Sequence, residues 1–578
     1  LSQLNSNEDA EKIFEKLFYL DKDNIDILYN YSLILKKLNK IENSIDILNK
    51  ILKIKKDHLG ALNELGIIYI HINNLNQALI FYNQILNYDI KSFNALSNIS
   101  NIFLIKKDLI KAELFAKRAL ENHPNYFLSF YNLANVYLEK GNFLMAIENF
   151  KKSIILNKNY INSHINLSAA YQSNDQIKEA ISSLKSSLQL NADPKILIKI
   201  IYLSSSICNW DEFKNYKTII KDIGIKGTAI FPFRTLALHD APKEQKIRSE
   251  KWSDQFKKIN NNKYAFNKVV NSKIRLGYFS SDFHGHATMH LLSGVFRNHN
   301  HKEFEIFIYN YSSKQNQKWN LFLEKYSDKI INLNSFNNDS DIIDKIRLDN
   351  LDIAIDLKGY TAGSKISLFK NKIAKLHISY LGYPGTLGAN FIDYIIADKT
   401  VIPKNLRQHY SEKIIYMPHT YQPNDELRKI SNIETKRSDY NLPEDGFIFC
   451  CFNDVYKISP HEFDIWMRLL NQIKNSYLWL LVSDEQTKEN LKKEAVKRNV
   501  NPEKLIFAKN IKHENHLERI RHGDLFLDCF NYNAHTTASD ALWSGVPLVT
   551  MQGKQFSARV ASSILKAIGL EELITNSF

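Results

Sequence analysis

The first third of the sequence repeats with a period of 34 residues. Five full units begin at residues 25, 59, 93, 127 and 161, and a cut unit precedes them. The eighth and twentieth positions hold small residues in every unit: Ser32, Gly66, Ser100, Ala134 and Ser168, then Ser44, Ala78, Ala112, Ala146 and Ala180. Small residues at fixed places let two helices approach closely, and this period is typical of stacked helix pairs. The sequence therefore predicts an α-helical repeat domain over residues 1–194.

The repeat resembles the tetratricopeptide repeat, which forms a superhelix lined on its concave side by the first helix of each unit. The sixth position is occupied by Asn30, Glu64, Asn98, Asn132 and Asn166. Side-chain amides in a row can hydrogen-bond the backbone of an extended polypeptide. We predict that this asparagine ladder (Asn30, Asn98, Asn132 and Asn166) binds peptides. The alternative is that asparagine is abundant throughout the chain and the column has no shared role.

The rest of the chain changes from helical repeats to alternating strands and helices. Residues 195–270 are predicted to be a helical connector, with helices over 196–223 and 242–259. From residue 271 onward, short β-branched and aromatic runs alternate with helices, a pattern typical of α/β layers. One series of strands is predicted at 274–279, 304–309, 353–357, 376–380 and 394–397, and a second at 447–452, 477–482, 505–508, 525–529 and 547–551. The simplest architecture is two Rossmann-like lobes, 271–435 and 436–578, with a ligand beyond the carboxyl ends of their strands.

The stretch from Asn531 to Gly545 indicates a strand, a tight loop and a helix. His535, Thr536 and Thr537 fall where the helix would begin, and free backbone N–H groups there suit a phosphate. Asp540, predicted in the first turn, is placed to accept hydrogen bonds from a sugar hydroxyl. The alternative is a threonine N-cap followed by an ordinary acidic first-turn residue.

Two further segments of the second lobe carry cationic side chains. Lys457 ends a strand just before a helix, where its charge could neutralise a diphosphate; a solvated lysine is the alternative. His516 and Arg519 are three residues apart on a predicted helix and so share one face.

In the first lobe, the segment from Ser280 to His290 contains Asp282 and three histidines, His284, His286 and His290. These groups suit proton transfer or the orientation of an acceptor. A metal site and a structural cap are the alternatives, although the spacing lacks the helical arrangement of common zinc sites. The turns at 358–363 and 381–386 are rich in glycine, which lets backbone approach a bound sugar.

Composition excludes several classes of protein. The net charge of +14 comes from lysines scattered among polar and apolar residues, so we expect no nucleic-acid partner. The four cysteines lack metal-binding spacing, which favours a reducing, cytoplasmic location. No apolar stretch is long enough to span a membrane. Because the chain begins at Leu1 without a methionine, we expect an internal fragment.

These motifs, in order, resemble the O-linked N-acetylglucosamine transferase family, the tetratricopeptide-bearing glycosyltransferases of family 41, in a bacterial-type form truncated at its C-terminus. The segments that carry the resemblance are SSDFHGHATMH, KGYTAGSK, SYLGYPGTLGANFIDYIIAD, FNDVYKI and AHTTASDALWSGVPLVTM. The resemblance implies a two-lobed GT-B fold and an inverting, metal-independent enzyme without cofactors. It would move GlcNAc from the nucleotide sugar UDP-GlcNAc to Ser or Thr of proteins held by the repeats. GDP-fucose or UDP-glucose as donor, or an inactive peptide-binding scaffold, are the alternatives.

The resemblance also implies roles for individual residues. Lys457, His535, Thr536 and Thr537 would hold the diphosphate, Asp540 the ribose, and His516 and Arg519 the uridine. The sugar and acceptor would lie near Thr288, Thr361, Leu381, Gly382, Pro384 and Gly385. His286 and Asp282 would handle the acceptor proton or position the acceptor, and with Lys457 they form the predicted catalytic set.

The chain departs from the family's pattern at several places, among them an upstream histidine of the animal enzymes that has no clear match around residues 231–238. Asp454 stands where an amide is usual, and a carboxylate there would repel a diphosphate. A lysine that lies near the uridine in the animal enzymes is matched by Lys512 or His513. The family also continues beyond Phe578, so we expect the second lobe to lack its last part.

Overall fold

The computed structural model describes residues 7–211, 218–256, 272–314, 316–336 and 338–577. It divides into two compact units, Leu1–Ala192 and Asp193–Phe578. Two parts of the predicted connector, 212–217 and 257–270, lie outside the described residues.

The first unit consists of helix pairs in the predicted register. Its helices are α1 (Asn7–Leu20), α2 (Ile25–Lys37), α3 (Ile41–Ile54), α4 (Leu59–His71), α5 (Leu75–Tyr88), α6 (Phe93–Ile105), α7 (Leu109–Asn122), α8 (Phe127–Glu139), α9 (Phe143–Leu156), α10 (Ile161–Ser173) and α11 (Ile177–Leu190). The small residues of the repeat are buried where the two helices of a pair meet. A Cβ at Gly66 would lie 2.5 Å from the Tyr82 ring, and the Ser44 hydroxyl donates to the Ser32 carbonyl across the pair. Close approach of the helices therefore explains the repeat pattern.

The second unit combines helices with two parallel sheets. Its helices are α12 (Pro194–Ser206), α13 (Pro242–Ser253), α14 (Ala287–Arg297), α15 (Gln317–Tyr326), α16 (Asp339–Leu348), α17 (Pro460–Gln472), α18 (Glu485–Val496), α19 (His513–Ile520), α20 (Thr536–Trp543) and α21 (Val560–Ala567). Its strands are β1 (Ile274–Ser280), β2 (Phe304–Asn310), β3 (Lys329–Asn332), β4 (Ile353–Asp356), β5 (Leu376–Ser379), β6 (Tyr394–Ala397), β7 (Lys413–Tyr416), β8 (Phe447–Cys451), β9 (Ser476–Leu481), β10 (Leu505–Ala508), β11 (Leu525–Leu527), β12 (Leu548–Met551) and β13 (Ile574–Thr575).

The first sheet has the order β3-β2-β1-β4-β5-β6-β7 and the second the order β10-β9-β8-β11-β12-β13. Neighbouring strands pair in parallel in both sheets. The loops that follow the strands therefore gather at one edge of each sheet. The predicted fold class, a tetratricopeptide superhelix followed by a parallel α/β region, is confirmed, while the lobe boundaries remain a prediction.

The connector is less helical than predicted. The helix expected over 196–223 ends at Ser206, and Cys208 then adopts a left-handed backbone with φ of 50°. Residues 218–222 form turns, in which the Ile219 carbonyl accepts from the backbone N–H groups of Asp222 and Ile223. The fully buried Arg248 of α13 donates to the carbonyls of Ile220 and Ile223 at 3.0 and 2.9 Å. A side chain distant in sequence thus replaces the hydrogen bonds of the expected helix.

Within the described ranges, no helix combines the length and the apolar character that a membrane span requires.

Candidate functional site

A cavity of about 480 Å³ in the second unit is lined by the loops that follow strands of both sheets. Most predicted site residues line it: Asp282, His286, Thr288, Thr361, Leu381, Gly382, Lys457, His516, His535, Thr536 and Thr537. A second cavity of about 340 Å³ shares several of these walls and adds Arg519 and Asp540. Pro384 and Gly385 are buried in the turn after β5 and line neither cavity. The structure thus brings together residues as far apart in sequence as Asp282 and Thr537.

Lys457 is a buried cation on the cavity wall. It lies in the short 3-10 turn Val455–Lys457 after β8 and is 9% exposed. Its Nζ donates to the Asn533 carbonyl at 3.2 Å and lies 4.0 Å from the centre of the Tyr532 ring. Burial lowers the pKa of Lys457, and the charge of Asp454 opposes this shift. No salt-bridge partner of Lys457 is found among the described residues, although the charges of Asp454 and Asp528 act on it, so an anion entering the cavity would meet an ammonium group without a direct counter-ion.

The N-terminus of α20 offers free backbone donors to the same cavity. The helix begins at Thr536, and the preceding His535 makes no side-chain capping bond. Instead, the His535 ring bonds the Ser557 carbonyl at 3.1 Å. In the described part of the chain the backbone N–H groups of Thr536 and Thr537 have no partner, which suits a phosphate. The threonine N-cap alternative is therefore wrong. So is the first-turn placement of Asp540, which lies one turn further along the helix.

A buried network that the sequence analysis missed supports this loop and helix end. The Thr537 hydroxyl donates to Asn453, whose amide donates to Asp528 at 3.2 Å. Asp528 also accepts the backbone N–H of Ala534 at 2.6 Å and the Thr550 hydroxyl at 2.6 Å. Burial raises the pKa of Asp528 to about 6. The sequence signal that could have indicated this network is Asp528 itself, an acidic residue directly after the apolar strand β11.

On the part of the cavity wall formed by loops of the first sheet, Asp282 forms a buried ion pair. Lys358 donates to both Asp282 oxygens, at 2.9 and 2.7 Å, and both side chains are about nine-tenths buried. Lys358 lies in a glycine-rich turn that sequence analysis considered only for its backbone. In contrast to Lys457, this cation already has its counter-charge.

His286 both caps a helix and lines the cavity. Its Nδ1 accepts the backbone N–H of Thr288 at 3.2 Å, which caps α14, and lies 3.6 Å from an Asp282 oxygen. Burial lowers the pKa of His286, so the ring is neutral at pH 7. Because Nδ1 accepts a hydrogen bond, the proton of the neutral ring sits on Nε2. His286 can therefore donate a hydrogen bond from Nε2 but cannot act as a base through that atom.

The backbone of the turn after β5 is constrained where it meets the cavity. A Cβ at Gly382 would lie 2.0 Å from the Leu357 carbonyl oxygen, so only glycine fits there. The adjacent Leu381 adopts φ of 70°, an uncommon conformation for a side chain of this size. Such strain concentrates at ligand sites.

The histidines of the segment from Ser280 to His290 contact different neighbours. Among the described residues no group of three or more His, Cys, Asp or Glu side chains is arranged to hold a metal ion. His290 instead stacks on His513, with ring centres 4.0 Å apart.

The uridine and ribose residues predicted from the resemblance lie on α19 and α20. Arg519 donates to His516 Nδ1 at 3.0 Å, so the two side chains share a face as predicted. Asp540 forms an ion pair with Arg428 and lies 4.0 Å from His513 Nε2. Lys512 is exposed and pairs with Glu514. His513, and not Lys512, lines the cavity of about 340 Å³. Arg428 was not singled out by the sequence analysis.

In the first unit, the ladder asparagines are hydrogen-bonded. Asn132 donates to the Ser97 carbonyl at 2.8 Å and Asn166 donates to Asn135 at 2.8 Å, each reaching the preceding repeat. Asn98 contacts Asn63 of the preceding repeat at 3.4 Å, whereas Asn30 is exposed and donates within its own helix. These amides join neighbouring repeats, and peptide binding by the ladder stays a prediction.

Curated relatives match about half of the chain. The chain is 37% identical over 311 residues to a probable UDP-N-acetylglucosamine–peptide N-acetylglucosaminyltransferase (SEC) of Arabidopsis thaliana, a match that covers 53% of this chain and 32% of the relative. It is 27% identical over 416 residues to the UDP-N-acetylglucosamine–peptide N-acetylglucosaminyltransferase of Caenorhabditis elegans, covering 53% and 36%. The matches thus span about a third of each relative's length.

A solved structure shares the fold over most of the chain. A mutant O-GlcNAc transferase of Thermobaculum terrenum superposes with a TM-score of 0.60 at 21% identity, covering 84% of this chain and 87% of that one. Residues 25–58 and 115–148 match tetratricopeptide repeat families. Residues 251–436 and 422–578 match the family described as Glycosyl transferase family 41. Because this match covers more than half of the sequence, the chain belongs to glycosyl transferase family 41.

Proposed function

We propose that the protein transfers GlcNAc from UDP-GlcNAc to Ser or Thr hydroxyls of protein substrates, with inversion and without a metal ion. The observation that carries this proposal is the pairing, in one cavity, of Lys457, which has no salt-bridge partner among the described residues, with the free N–H groups at the start of α20. Together they provide positive potential for a leaving diphosphate. Membership of family 41 and the names of the relatives supply the donor and acceptor class.

The proposed reaction is a single displacement. The acceptor hydroxyl attacks the anomeric carbon, the bond from that carbon to the diphosphate oxygen breaks, and UDP departs with the bonding electrons. Lys457 and the Thr536 and Thr537 N–H groups would meet the charge that develops on the diphosphate. Holding the two substrates in line would provide much of the remaining acceleration.

Asp282 and His286 are proposed to position the acceptor. With its proton on Nε2, His286 would donate a hydrogen bond to the acceptor or the sugar. The Asp282 carboxylate, held by Lys358, would accept one. Thr288, Thr361, Leu381 and Gly382 are proposed to surround the sugar, where the constrained turn after β5 brings backbone to the cavity surface.

Protein acceptors are proposed to bind the repeat array. The sixth-position asparagines Asn132 and Asn166 join neighbouring repeats, and an extended peptide would use the hydrogen-bonding capacity that remains along this column. GDP-fucose or UDP-glucose stay alternative donors for the same cavity.

Calorimetric titration with UDP, GDP and UDP-GlcNAc, with and without EDTA, tests the proposal. We expect UDP binding that EDTA does not change and that Lys457→Met weakens by about tenfold to a hundredfold, the effect of losing a charge-assisted contact. Lys358→Met is the matched control, since it removes a buried lysine from the same cavity that already has a counter-charge. Equal losses of UDP affinity in both variants, or binding that requires a metal, would overturn the assignment.

One observation favours a second candidate, a peptide-binding scaffold without turnover. The exposed Asp454 carboxylate lies on the cavity wall near Lys457, where it would repel a diphosphate. Absence of any nucleotide binding by the wild-type protein would favour this function.

A further inference from the structure

The carboxylate of Asp540 is held by an arginine from a distant segment. Asp540 lies inside α20 and is 4% exposed. One of its oxygens, Oδ1, accepts a hydrogen bond from Nη2 of Arg428, which lies in the segment between β7 and β8. The Arg428 side chain is itself 4% exposed, so the pair is shielded from water.

Arg428 makes further contacts that fix its position. The same Nη2 bonds His513 Nε2 at 3.0 Å, and Nη1 donates to Asn424 at 2.7 Å. His513 belongs to α19 and Asp540 to α20, so one guanidinium connects both helices that border the smaller cavity. A planar group with several donors can hold three partners at once, whereas a lysine ammonium would hold them less rigidly.

The second carboxylate oxygen of Asp540 remains available. No hydrogen-bond donor to Oδ2 is found in the part of the chain that the structure describes, and Asp540 lines the cavity of about 340 Å³ with His516 and Arg519. An ionised carboxylate oxygen is a strong acceptor for hydroxyl groups. The arginine therefore anchors one oxygen and leaves the other to a ligand.

We propose that Arg428 is a positioning residue that makes Asp540 a reader of the ribose hydroxyls of the bound nucleotide. This inference rests on the nucleotide site proposed above and extends it to a residue outside the contact surface of the diphosphate. If Arg428 merely ties its segment to α20, its loss would weaken all ligands alike. If it positions Asp540, its loss removes the preference for a ribose that carries hydroxyls.

The test compares UDP or GDP, whichever the wild-type protein binds more tightly, with the corresponding 2′,3′-dideoxy nucleotide. In the wild-type protein we expect the dideoxy analogue to bind about tenfold to a hundredfold more weakly, because hydrogen bonds to a charged acceptor are lost. Arg428→Gln should bring the two affinities to within about threefold of each other, and Arg428→Lys should restore part of the difference.

Arg297→Gln is the matched control. Arg297 forms a similar pair, donating to both oxygens of Asp425 at 3.0 and 2.7 Å, and lines a neighbouring cavity together with Arg428. This variant should keep the full preference for the hydroxylated nucleotide. Asp540→Asn provides a second route should Arg428→Gln fail to fold, since it removes the charge while keeping the shape of the side chain, and the preference should again be lost.

The outcomes separate the two proposals. Full preference in folded Arg428→Gln or Asp540→Asn overturns the role of Arg428 while leaving the nucleotide site in place. If Arg297→Gln also loses the preference for the hydroxylated nucleotide, then losing any structural ion pair has this effect, and the positioning role of Arg428 is overturned. If the wild-type protein binds neither UDP nor GDP, both proposals fall together.

Discussion

Replacing Lys457 by methionine should affect the stability of the ligand-free protein and its response to UDP in opposite ways. The buried ammonium has no salt-bridge partner among the described residues, and neither the nearby carboxylates of Asp454 and Asp528 nor the Tyr532 ring offset its burial, since the pKa of Lys457 is lowered. The charged form is therefore disfavoured in the folded state. Methionine keeps the apolar stem and removes the charge, so we expect Lys457→Met to be at least as stable as the wild-type protein.

The response to UDP should shrink sharply in the same variant. UDP at a hundred times its dissociation constant stabilises the wild-type protein by about 2.7 kcal/mol. If the substitution raises that constant a hundredfold, the same UDP concentration contributes only about 0.4 kcal/mol. The UDP-dependent increase in the free energy of unfolding should thus fall to roughly a seventh of the wild-type value, measured by urea denaturation with and without UDP.

The pH dependence of stability independently tests whether burial disfavours the charged form of Lys457. Because the folded-state pKa of Lys457 is depressed, the folded protein binds this proton less tightly than the unfolded chain. The stability of the wild-type protein relative to Lys457→Met should therefore rise as pH increases from the folded-state pKa toward about 10.4, the usual value for lysine. A variant that is less stable than the wild-type protein and keeps its response to UDP would refute the reasoning.

Three further predictions follow from individual contacts. Asp454→Asn should tighten UDP binding by about twofold to fivefold in calorimetry, because it removes an exposed like charge; weaker binding would show that the carboxylate assists the site. His286→Asn should keep the thermal midpoint, since asparagine is also a good N-cap, but lower the rate of transfer to a peptide; an unchanged rate would exclude a role for the ring. Asn132→Ala should destabilise the repeat unit by about 1 to 3 kcal/mol in urea denaturation because it removes the two hydrogen bonds that the buried amide donates to the carbonyl and hydroxyl of Ser97, whereas the exposed Asn30→Ala should not; equal effects would contradict the hydrogen-bond assignment.

The sequence predicted the fold well where a local pattern repeats or where a strand is fully buried. All ten predicted strands exist, since central parallel strands are continuous apolar runs. The three missed strands, β3, β7 and β13, are short and lie at sheet edges. In β3 and β7, lysine and exposed positions interrupt the apolar run, as edge strands often require.

The site was predictable only in part for a related reason. Residues that follow a buried strand, such as Lys457, could be identified from their position, because the carboxyl ends of parallel strands meet. The ion pairs that set the charges of the site could not be identified from the sequence. Arg428 and Asp540 are 112 residues apart, and Lys358 and Asp282 are 76 apart. No local pattern connects such partners.

The different charge balance of the two buried lysines suggests how a donor would be oriented. Lys457 and the free N–H groups of α20 follow strands of the second sheet, and Lys457 has no salt-bridge partner among the described residues, whereas Lys358 follows a strand of the first sheet and is paired with Asp282. A ligand with a doubly negative end and an uncharged end gains most when the charge meets Lys457. We therefore expect the diphosphate at Lys457 and the sugar toward Asp282. Asp282→Asn removes the counter-charge of Lys358. This variant should therefore bind anions near Lys358 as well, and calorimetry would detect a second, weaker site for inorganic phosphate.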